Sequence, residues 1–209
     1  MKLIPAVLTD DADQLRPMLR LAESFSDYIQ VDFMDGRFVP SSSITPSELA
    51  NAKPRLAIEA HLMAYDPEDY FPILKDTVEK VVFHFEAVSD PLIPLKKARE
   101  AGFQASLALN PETDADQALP LIDKFDSVLL LGVHPGFYGQ KFIPEVLAKI
   151  GEIKKVYPGL SVGVDGGVKL ENIARIKQSG ADFVCVGSAI FGNDDPEAAF
   201  AKFSLAVDG

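Results

Sequence analysis

The sequence predicts one (β/α)8 barrel (a TIM barrel) that spans residues 1–209 as a single domain, and two observations carry this prediction. A short apolar run followed by an amphipathic stretch recurs eight times along the chain at roughly even spacing. Ionisable or glycine-rich segments stand repeatedly where these apolar runs end. In a closed parallel barrel the strand ends meet at one face, where such enzymes hold their active sites.

The eight apolar runs are predicted to be strands because they are short, rich in Val, Ile, Leu and Phe, and mostly apolar on both faces, as strands beneath helices are. They occupy residues 2–8, 28–34, 57–63, 80–85, 104–109, 127–133, 160–165 and 182–187. An open, doubly wound sheet would alternate strands and helices in the same way. The even spacing of eight units, with no GxGxxG motif after the first strand, favours the closed barrel.

The stretches between the strands carry helix-boundary signals. Residues that often cap helix N-termini precede helical segments at Asp66, Thr113 and Asp195. Glycines stand where left-handed C-caps usually fall, at Gly102, Gly159 and Gly180. The sequence contains no linker, low-complexity tract or shift in composition that would indicate a second domain.

Composition limits the classes of partner. With 47% hydrophobic residues the chain can fill a sizeable core, and its formal net charge of −11 argues against nucleic acid or an anionic membrane. The one cysteine, Cys185, lies in the apolar run DFVCVGS and is predicted to be a buried, inert thiol. The N-terminal segment MKLIPAVLTDD has too short an apolar run for a signal peptide, so we expect a cytoplasmic protein.

Side-chain alternation places several polar groups at the predicted barrel mouth. In the second strand Gln30, Asp32 and Met34 share the inner face, and the third and fourth strands place Glu59, His61, Met63, His84 and Glu86 on theirs. Asp32, His61 and Asp165 are therefore expected to converge, and two carboxylates with an imidazole are suited to a divalent metal ion. Taken singly, such residues can also be structural, as Asp35 before Gly36 is in a turn.

Glycines supply a second signal at the ends of the last three strands. HPGFYGQ, VDGGV and VGSAIF follow strands six, seven and eight, and barrels often bind phosphate after strands seven and eight. Small residues there let backbone N–H groups approach an anion, although turn geometry alone can also require glycine. Three such segments in successive units indicate a phosphorylated substrate.

These segments resemble those of the ribulose-phosphate 3-epimerase family. VDFMDGRFVP, EAHLMAYDPEDY, VVFHFEA, LALNPET, HPGFYGQKFIPEVL, VDGGV and GADFVCVGSAIF follow in family order from Pro5 to Pro196. The resemblance implies an isomerase that interconverts D-ribulose 5-phosphate and D-xylulose 5-phosphate by two-base proton transfer at C3 through a metal-stabilised enediolate. It also suggests a homo-oligomer.

Roles carried over by position follow the family pattern. The resemblance implies that Asp32 and Asp165 are the acid/base pair, and that Asp32, His61 and Asp165 bind one divalent ion (Zn, Fe, Mn or Mg). Substrate contacts are expected from Thr9, Met34, His61, Met63, Gly136, Phe137, Tyr138, Gly139, Gly166, Gly167, Gly187 and Ser188.

The chain departs from the family pattern at a position that matters for metal binding. Gln30 stands where family members commonly place a metal-binding His, and an amide oxygen is a weaker ligand for zinc than an imidazole. With Gln30 in place, the site is therefore expected to favour a harder ion such as Mg²⁺ or Mn²⁺, or to bind its metal ion less tightly. His84, His134 and Arg37 receive no assigned role from the sequence, although Arg37 can pair with substrate or with a surface carboxylate.

Two other functions remain open at this stage. A lyase or decarboxylase acting on a related ketose phosphate would also stabilise an enediolate with a metal ion. The paired carboxylates argue against it, since opposed bases are needed for inversion and not for carbon–carbon cleavage. A non-catalytic sugar-phosphate binder is the third hypothesis, in which the metal site was lost with the histidine that Gln30 replaces.

Overall fold

Eight parallel strands form a closed barrel in sequence order in the computed structural model, which describes residues 1–136 and 140–209. The predicted barrel is confirmed. The strands are β1 Lys2–Val7, β2 Tyr28–Met34, β3 Ala57–Met63, β4 Lys80–His84, β5 Gln104–Leu109, β6 Ser127–Leu131, β7 Ser161–Asp165 and β8 Phe183–Val186. β6 ends two residues before the predicted boundary because Gly132 leaves the ladder, its N–H donating to the carbonyl of Asp165 and its carbonyl accepting from Ile143.

Helices of the described residues cover the outside of the barrel. They are α1 Ala12–Ala22, α2 Pro46–Ala52, α3 Phe71–Leu74, α4 Leu92–Glu100, α5 Ala115–Ala118, α6 Leu147–Val156, α7 Leu170–Gln178, α8 Ser188–Phe191 and α9 Pro196–Asp208. Short 3₁₀ turns lie at Pro67–Asp69, Phe85–Ala87, Ile122–Lys124 and Pro144–Val146. Among the residues described, no helix is long and apolar enough to cross a membrane.

Of the three predicted helix starts, Asp195 begins an α-helix, Asp66 stands at the N-cap of a 3₁₀ helix, and Thr113 is one residue early. Asp195 caps α9 by accepting from the N–H of Ala198. Thr113 was predicted to begin a helix, but the residue at the N-cap of α5 is Asp114. The hydroxyl of Thr113 instead donates to the carboxylate of Glu86, which takes it away from the helix. Asp66 precedes only a short 3₁₀ turn and makes no side-chain cap hydrogen bond.

The predicted helix ends are correct at two of three glycines. Gly102 and Gly180 follow α4 and α7 with φ of +93° and +90°, the left-handed conformation that glycine adopts without a steric penalty. Gly159 is wrong as a C-cap because α6 ends at Val156, with Tyr157 at the capping position. Gly159 lies in the turn that leads into β7.

The hydrophobic core has two layers. One lies between the strands and the helices, and the other fills the barrel itself with Ile4, Ala6, Val82, Ala108, Leu129, Leu131, Phe183 and Cys185. Gly163 is required in this interior because a Cβ there would lie 2.2 Å from Cε2 of Phe183. These side chains fill the interior of the barrel.

A buried polar cluster lies deeper in the barrel. Glu59 is fully buried, and its carboxylate accepts a hydrogen bond from the Tyr28 hydroxyl at 2.9 Å and lies 3.0 Å from Nζ of Lys80. Cys185 is buried beside Glu59, as the sequence predicted for the thiol, and burial raises its pKa. The Glu59 carboxylate therefore has its hydrogen-bond and ion-pair partners inside the barrel.

Candidate active site

Three buried side chains meet at the carboxyl ends of β2, β3 and β7. One potential ligand atom from each of Asp32, His61 and Asp165 lies within 4.8 Å of the other two. Nδ1 of His61 is 3.0 Å from Oδ1 of Asp32 and 3.5 Å from Oδ2 of Asp165. β2 and β3 pair with Asp32 opposite His61, which is why residues far apart in sequence become neighbours. This group can bind a metal ion.

Gln30 lies between the two carboxylates. Its Nε2 donates to Oδ1 of Asp32 and to Oδ2 of Asp165, both at 2.8 Å. Its Oε1 is buried and has no hydrogen-bond partner among the described residues. Rotation of the amide by half a turn would exchange these atoms and direct Oε1 toward the carboxylate pair. The donor set of two carboxylates, one imidazole and one amide oxygen therefore suits a divalent cation.

Burial and charge pairing shift the proton affinities of this group. Burial lowers the pKa of His61, but its contacts with Asp165 and Asp32 outweigh that effect and raise the pKa to about 10. Burial also affects Asp32 and raises its pKa, although the contact with His61 acts in the opposite direction. Without a metal ion, the cluster therefore retains a proton on His61 at neutral pH, and this imidazolium balances the carboxylates.

The stability of the metal-free protein is expected to fall as pH rises through the alkaline range. The pKa of His61 is about 10 in the fold and about 6.5 when unfolded, so its stabilisation is complete below pH of about 6.5 and is lost toward about 10. The raised pKa of Asp32 acts in the same direction. Urea unfolding of EDTA-treated protein between pH of about 6.5 and 9.5 measures how steeply the free energy of unfolding falls with pH. The substitution His61→Gln should make that fall shallower. A rise in unfolding free energy over this range would contradict the assignment.

A second chain of polar groups extends from His61 away from the carboxylates. Nε2 of His61 lies 2.9 Å from Nε2 of His84, and Nδ1 of His84 lies 3.5 Å from Oε2 of Glu86. Strand alternation places His84 and Glu86 on one face, but no sequence pattern indicates that His84 contacts His61. Those contacts depend on how β3 and β4 are aligned.

One cavity joins this cluster to the glycine-rich segments. Asp32, His61 and Asp165 line it together with Met34, Met63, Leu131, Gly136, Gly166, Gly167, Gly187 and Ser188. Gly166 has φ of +89°, and a Cβ there would lie 2.5 Å from Cγ2 of Val133, so glycine is required on both counts. Phe137, Tyr138 and Gly139, which the sequence assigned to the substrate, lie outside the described residues.

The remaining candidates lie away from the carboxylates. Thr9 is buried after β1, where its hydroxyl bonds to the backbone of Asp11, and it is not among the residues that line the cavity. Arg37 is exposed, with Nη1 3.7 Å from the carboxylate of Asp66, which is the surface pairing that the sequence left open. His134 is also exposed, and its Nδ1 contacts Glu112. Its role as a surface ion-pair partner could not be read from the sequence.

Comparisons with known proteins agree with the resemblance seen in the sequence. The family model described as the ribulose-phosphate 3 epimerase family matches residues 2–191. A ribulose-phosphate 3-epimerase from Schizosaccharomyces pombe is 35% identical over 99% of this chain and 93% of its own length. The protein named the cytoplasmic isoform of that enzyme in Oryza sativa subsp. japonica is 32% identical over all of this chain and 95% of its own length.

A solved structure extends the comparison to the fold. A 3-hexulose-6-phosphate synthase superposes with a TM-score of 0.75 over 99% of this chain and all of its own, at 20% sequence identity. That likeness supports the barrel and carries nothing about the reaction. The family match covers most of the chain, including β2, β3 and β7 with their buried polar side chains. The chain belongs to the ribulose-phosphate 3-epimerase family.

Proposed function

We propose that this chain is an epimerase that interconverts D-ribulose 5-phosphate and D-xylulose 5-phosphate. The observation that carries the proposal is the placement of two buried carboxylates, Asp32 and Asp165, in one cavity with the glycine backbone of the last strand ends. Family membership and the similarity to proteins named ribulose-phosphate 3-epimerase support it. A pentose phosphate has an acidic C3–H beside its C2 carbonyl, and inversion there requires two proton-transfer groups.

In this proposal Asp32 and Asp165 act on opposite faces of the substrate at C3. One carboxylate removes the C3 proton, and the electron pair of the C–H bond forms the C2=C3 bond of an enediolate. The other group, which begins protonated, returns a proton to the opposite face of C3. The first group ends protonated and the second ionised, so the pair is set for the reverse direction. Gln30 contacts both carboxylates and so fixes their separation.

The remaining lining residues would bind and orient the sugar phosphate. Backbone N–H groups near Gly166, Gly167, Gly187 and Ser188 are proposed to donate hydrogen bonds to the phosphate, as at other barrel phosphate sites. Met34 and Met63 form an apolar wall beside the carboxylates and would limit water near the enediolate. Gly136, Phe137, Tyr138 and Gly139 remain proposed contacts of the phosphate end, and Thr9 a proposed contact from the first strand end.

A divalent cation bound by Asp32, His61 and Asp165, when present, supplies electrostatic stabilisation of charge on the substrate oxygens. We propose that Gln30 shifts the preference of this site toward Mg²⁺ or Mn²⁺ and away from Zn²⁺. Oxygen donors from two carboxylates and an amide leave His61 as the nitrogen ligand, and hard ions favour oxygen. Gln30 would reach the ion only through its Oε1, after its amide has turned.

Replacing Gln30 with histidine is expected to raise the affinity of the metal-free protein for Zn²⁺ by about 10- to 100-fold. An imidazole is a better zinc ligand than an amide, and Gln30 is fully buried between the two carboxylates where the new ring would point. Competition with a zinc-binding dye measures the change. Gln30→Asn is the matched control, since it keeps the amide but shortens its reach. Equal zinc affinity in all three proteins would contradict a ligand position at residue 30.

Proton NMR of the purified protein with D-ribulose 5-phosphate in D₂O tests the function. Appearance of D-xylulose 5-phosphate with deuterium at C3 is the expected result. Exchange at C3 without the epimer would mean that only one of the two groups acts. Absence of both, with Mg²⁺, Mn²⁺ and Zn²⁺ supplied in turn, would overturn the proposal.

We also infer a cytoplasmic location and assembly into a homo-oligomer. The similarity to a protein named a cytoplasmic isoform supports the first inference. Large apolar side chains that are exposed, such as Ile93 and Leu205, support the second because contact between copies would cover them. Light scattering of the purified protein tests the assembly.

A further inference from the structure

The facing nitrogens of His61 and His84 link the protonation patterns of the two rings. Both side chains are fully buried, and their Nε2 atoms lie 2.9 Å apart. Two ring nitrogens at this distance need one proton between them, so one must donate and the other must accept. If His61 carries a proton on Nε2, then Nε2 of His84 presents its lone pair, and the proton of a neutral His84 is on Nδ1.

Glu86 decides which of the two arrangements forms. Nδ1 of His84 and Oε2 of Glu86 lie 3.5 Å apart, within the range of an ion pair, and neither atom makes a hydrogen bond to any residue that the structure describes. A carboxylate can only accept, so the proton of His84 belongs on Nδ1. Burial raises the pKa of Glu86, but contacts with His84 and Thr113 outweigh it and keep the pKa below its usual range.

The position of Glu86 is itself fixed by a loop. Its Oε1 accepts from the backbone N–H of Asn110 at 2.8 Å and from the hydroxyl of Thr113. Nζ of Lys149 donates to the carbonyls of Asn110, Pro111 and Thr113 at 3.0, 2.8 and 2.6 Å, which holds that loop in place. Oε2 of Glu86 is therefore left to face His84.

We propose that Glu86, acting through His84, sets the tautomer of His61 so that Nδ1 presents its lone pair between Asp32 and Asp165. Three electron-rich atoms then converge at one point, where a divalent ion would bind. His84 and Glu86 are positioning residues for that ion. The proposal rests on the proposed function, because it concerns the ion of the same site.

Glu86→Gln tests the proposal because it reverses the proton order with almost no change of shape. The amide oxygen can keep the contacts with Asn110 and Thr113, which turns the amide N–H toward Nδ1 of His84. His84 must then accept at Nδ1 and donate from Nε2, which leaves the proton of a neutral His61 on the nitrogen that faces the carboxylates. We expect the affinity for Zn²⁺ to fall about 10- to 100-fold, measured by dye competition.

Thr113→Val is the matched control. It removes one donor to Oε1 of Glu86, but the backbone N–H of Asn110 still donates to that oxygen and Oε2 still faces His84, so zinc affinity should fall far less than in Glu86→Gln. An equal loss of affinity in both variants would mean that Glu86 matters only for the shape of the loop. Unchanged affinity in Glu86→Gln would also overturn the proposal.

The imidazole nitrogen shifts of the zinc-loaded wild-type protein give a readout that needs no variant. Long-range proton–nitrogen correlation is expected to show the proton of His84 on Nδ1 and that of His61 on Nε2. A proton on Nε2 of His84 would overturn the proposal even if Glu86→Gln fails to fold. Both measurements are made without substrate, so failure of the epimerase function would leave their outcome intact.

Discussion

Replacing Asp165 with asparagine is expected to lower kcat for epimerisation by about 10²- to 10⁴-fold while the fold is retained. A carboxamide cannot take up or release a proton at neutral pH, whereas its oxygen can still accept the hydrogen bond from Gln30. Asp165 is nearly buried and its partners are polar, so the isosteric change leaves no cavity. Steady-state turnover, with thermal unfolding as the check on folding, measures the effect.

Asp32→Asn is the matched partner of this variant and makes the test sharper. If each carboxylate serves one face of C3, each variant should still exchange the C3 proton of one epimer with D₂O and not that of the other. The epimer whose C3 proton still exchanges should differ between the two variants. Exchange of the same epimer by both would contradict the assignment of opposite faces, and metal content measured in each separates loss of a base from loss of the ion.

The sequence predicted the barrel and the convergence of Asp32, His61 and Asp165 because both follow from local periodicity. Apolar runs of four to seven residues mark the strands, and alternation along each strand decides which side chains face inward. The ends of parallel strands meet at the mouth of any such barrel. No knowledge of how one strand is aligned with the next was needed for that step.

Contacts that depend on strand alignment could not be predicted. The registers that pair Asp32 with His61 and Gln30 with Glu59 belong to the assembled sheet. The sequence predicted that Gln30 costs the metal site one good ligand, and the structure adds that the Gln30 amide nitrogen bridges the two carboxylates. That bridge requires β2 and β7 to face each other across the barrel, which nothing local to either strand specifies.

The wrong helix boundaries have the same origin. Thr113 has the composition of an N-cap, yet its hydroxyl is taken by Glu86 from another β/α unit. The hydrogen bond from Thr113 to the buried Glu86 carboxylate stabilises the fold more than a cap on the one-turn helix α5 would. A buried carboxylate without a donor costs more free energy than a missing helix cap. Local signals alone could not have ranked these two contacts.

The second large effect is expected from Lys80→Met, which should lower the free energy of unfolding by about 3–5 kcal/mol. Glu59 is fully buried and Nζ of Lys80 lies 3.0 Å from its Oε2, so the substitution leaves a buried carboxylate with only neutral partners, chiefly the Tyr28 hydroxyl. Neither Glu59 nor Lys80 lines the cavity, so turnover of the folded fraction should be unaffected. Urea unfolding measures the loss.

Lys97→Met is the matched control for this prediction. Nζ of Lys97 lies 2.8 Å from Glu68, a separation similar to that of the buried pair, but its side chain is 51% exposed. Water already solvates that pair, so its loss should lower the free energy of unfolding far less than loss of the buried pair does. Adding Glu59→Gln to Lys80→Met removes the unpaired charge and should restore more than half of the lost stability. If the double variant were no more stable than Lys80→Met, the loss would come from the cation–π contact of Nζ of Lys80 with the Phe183 ring and not from charge burial.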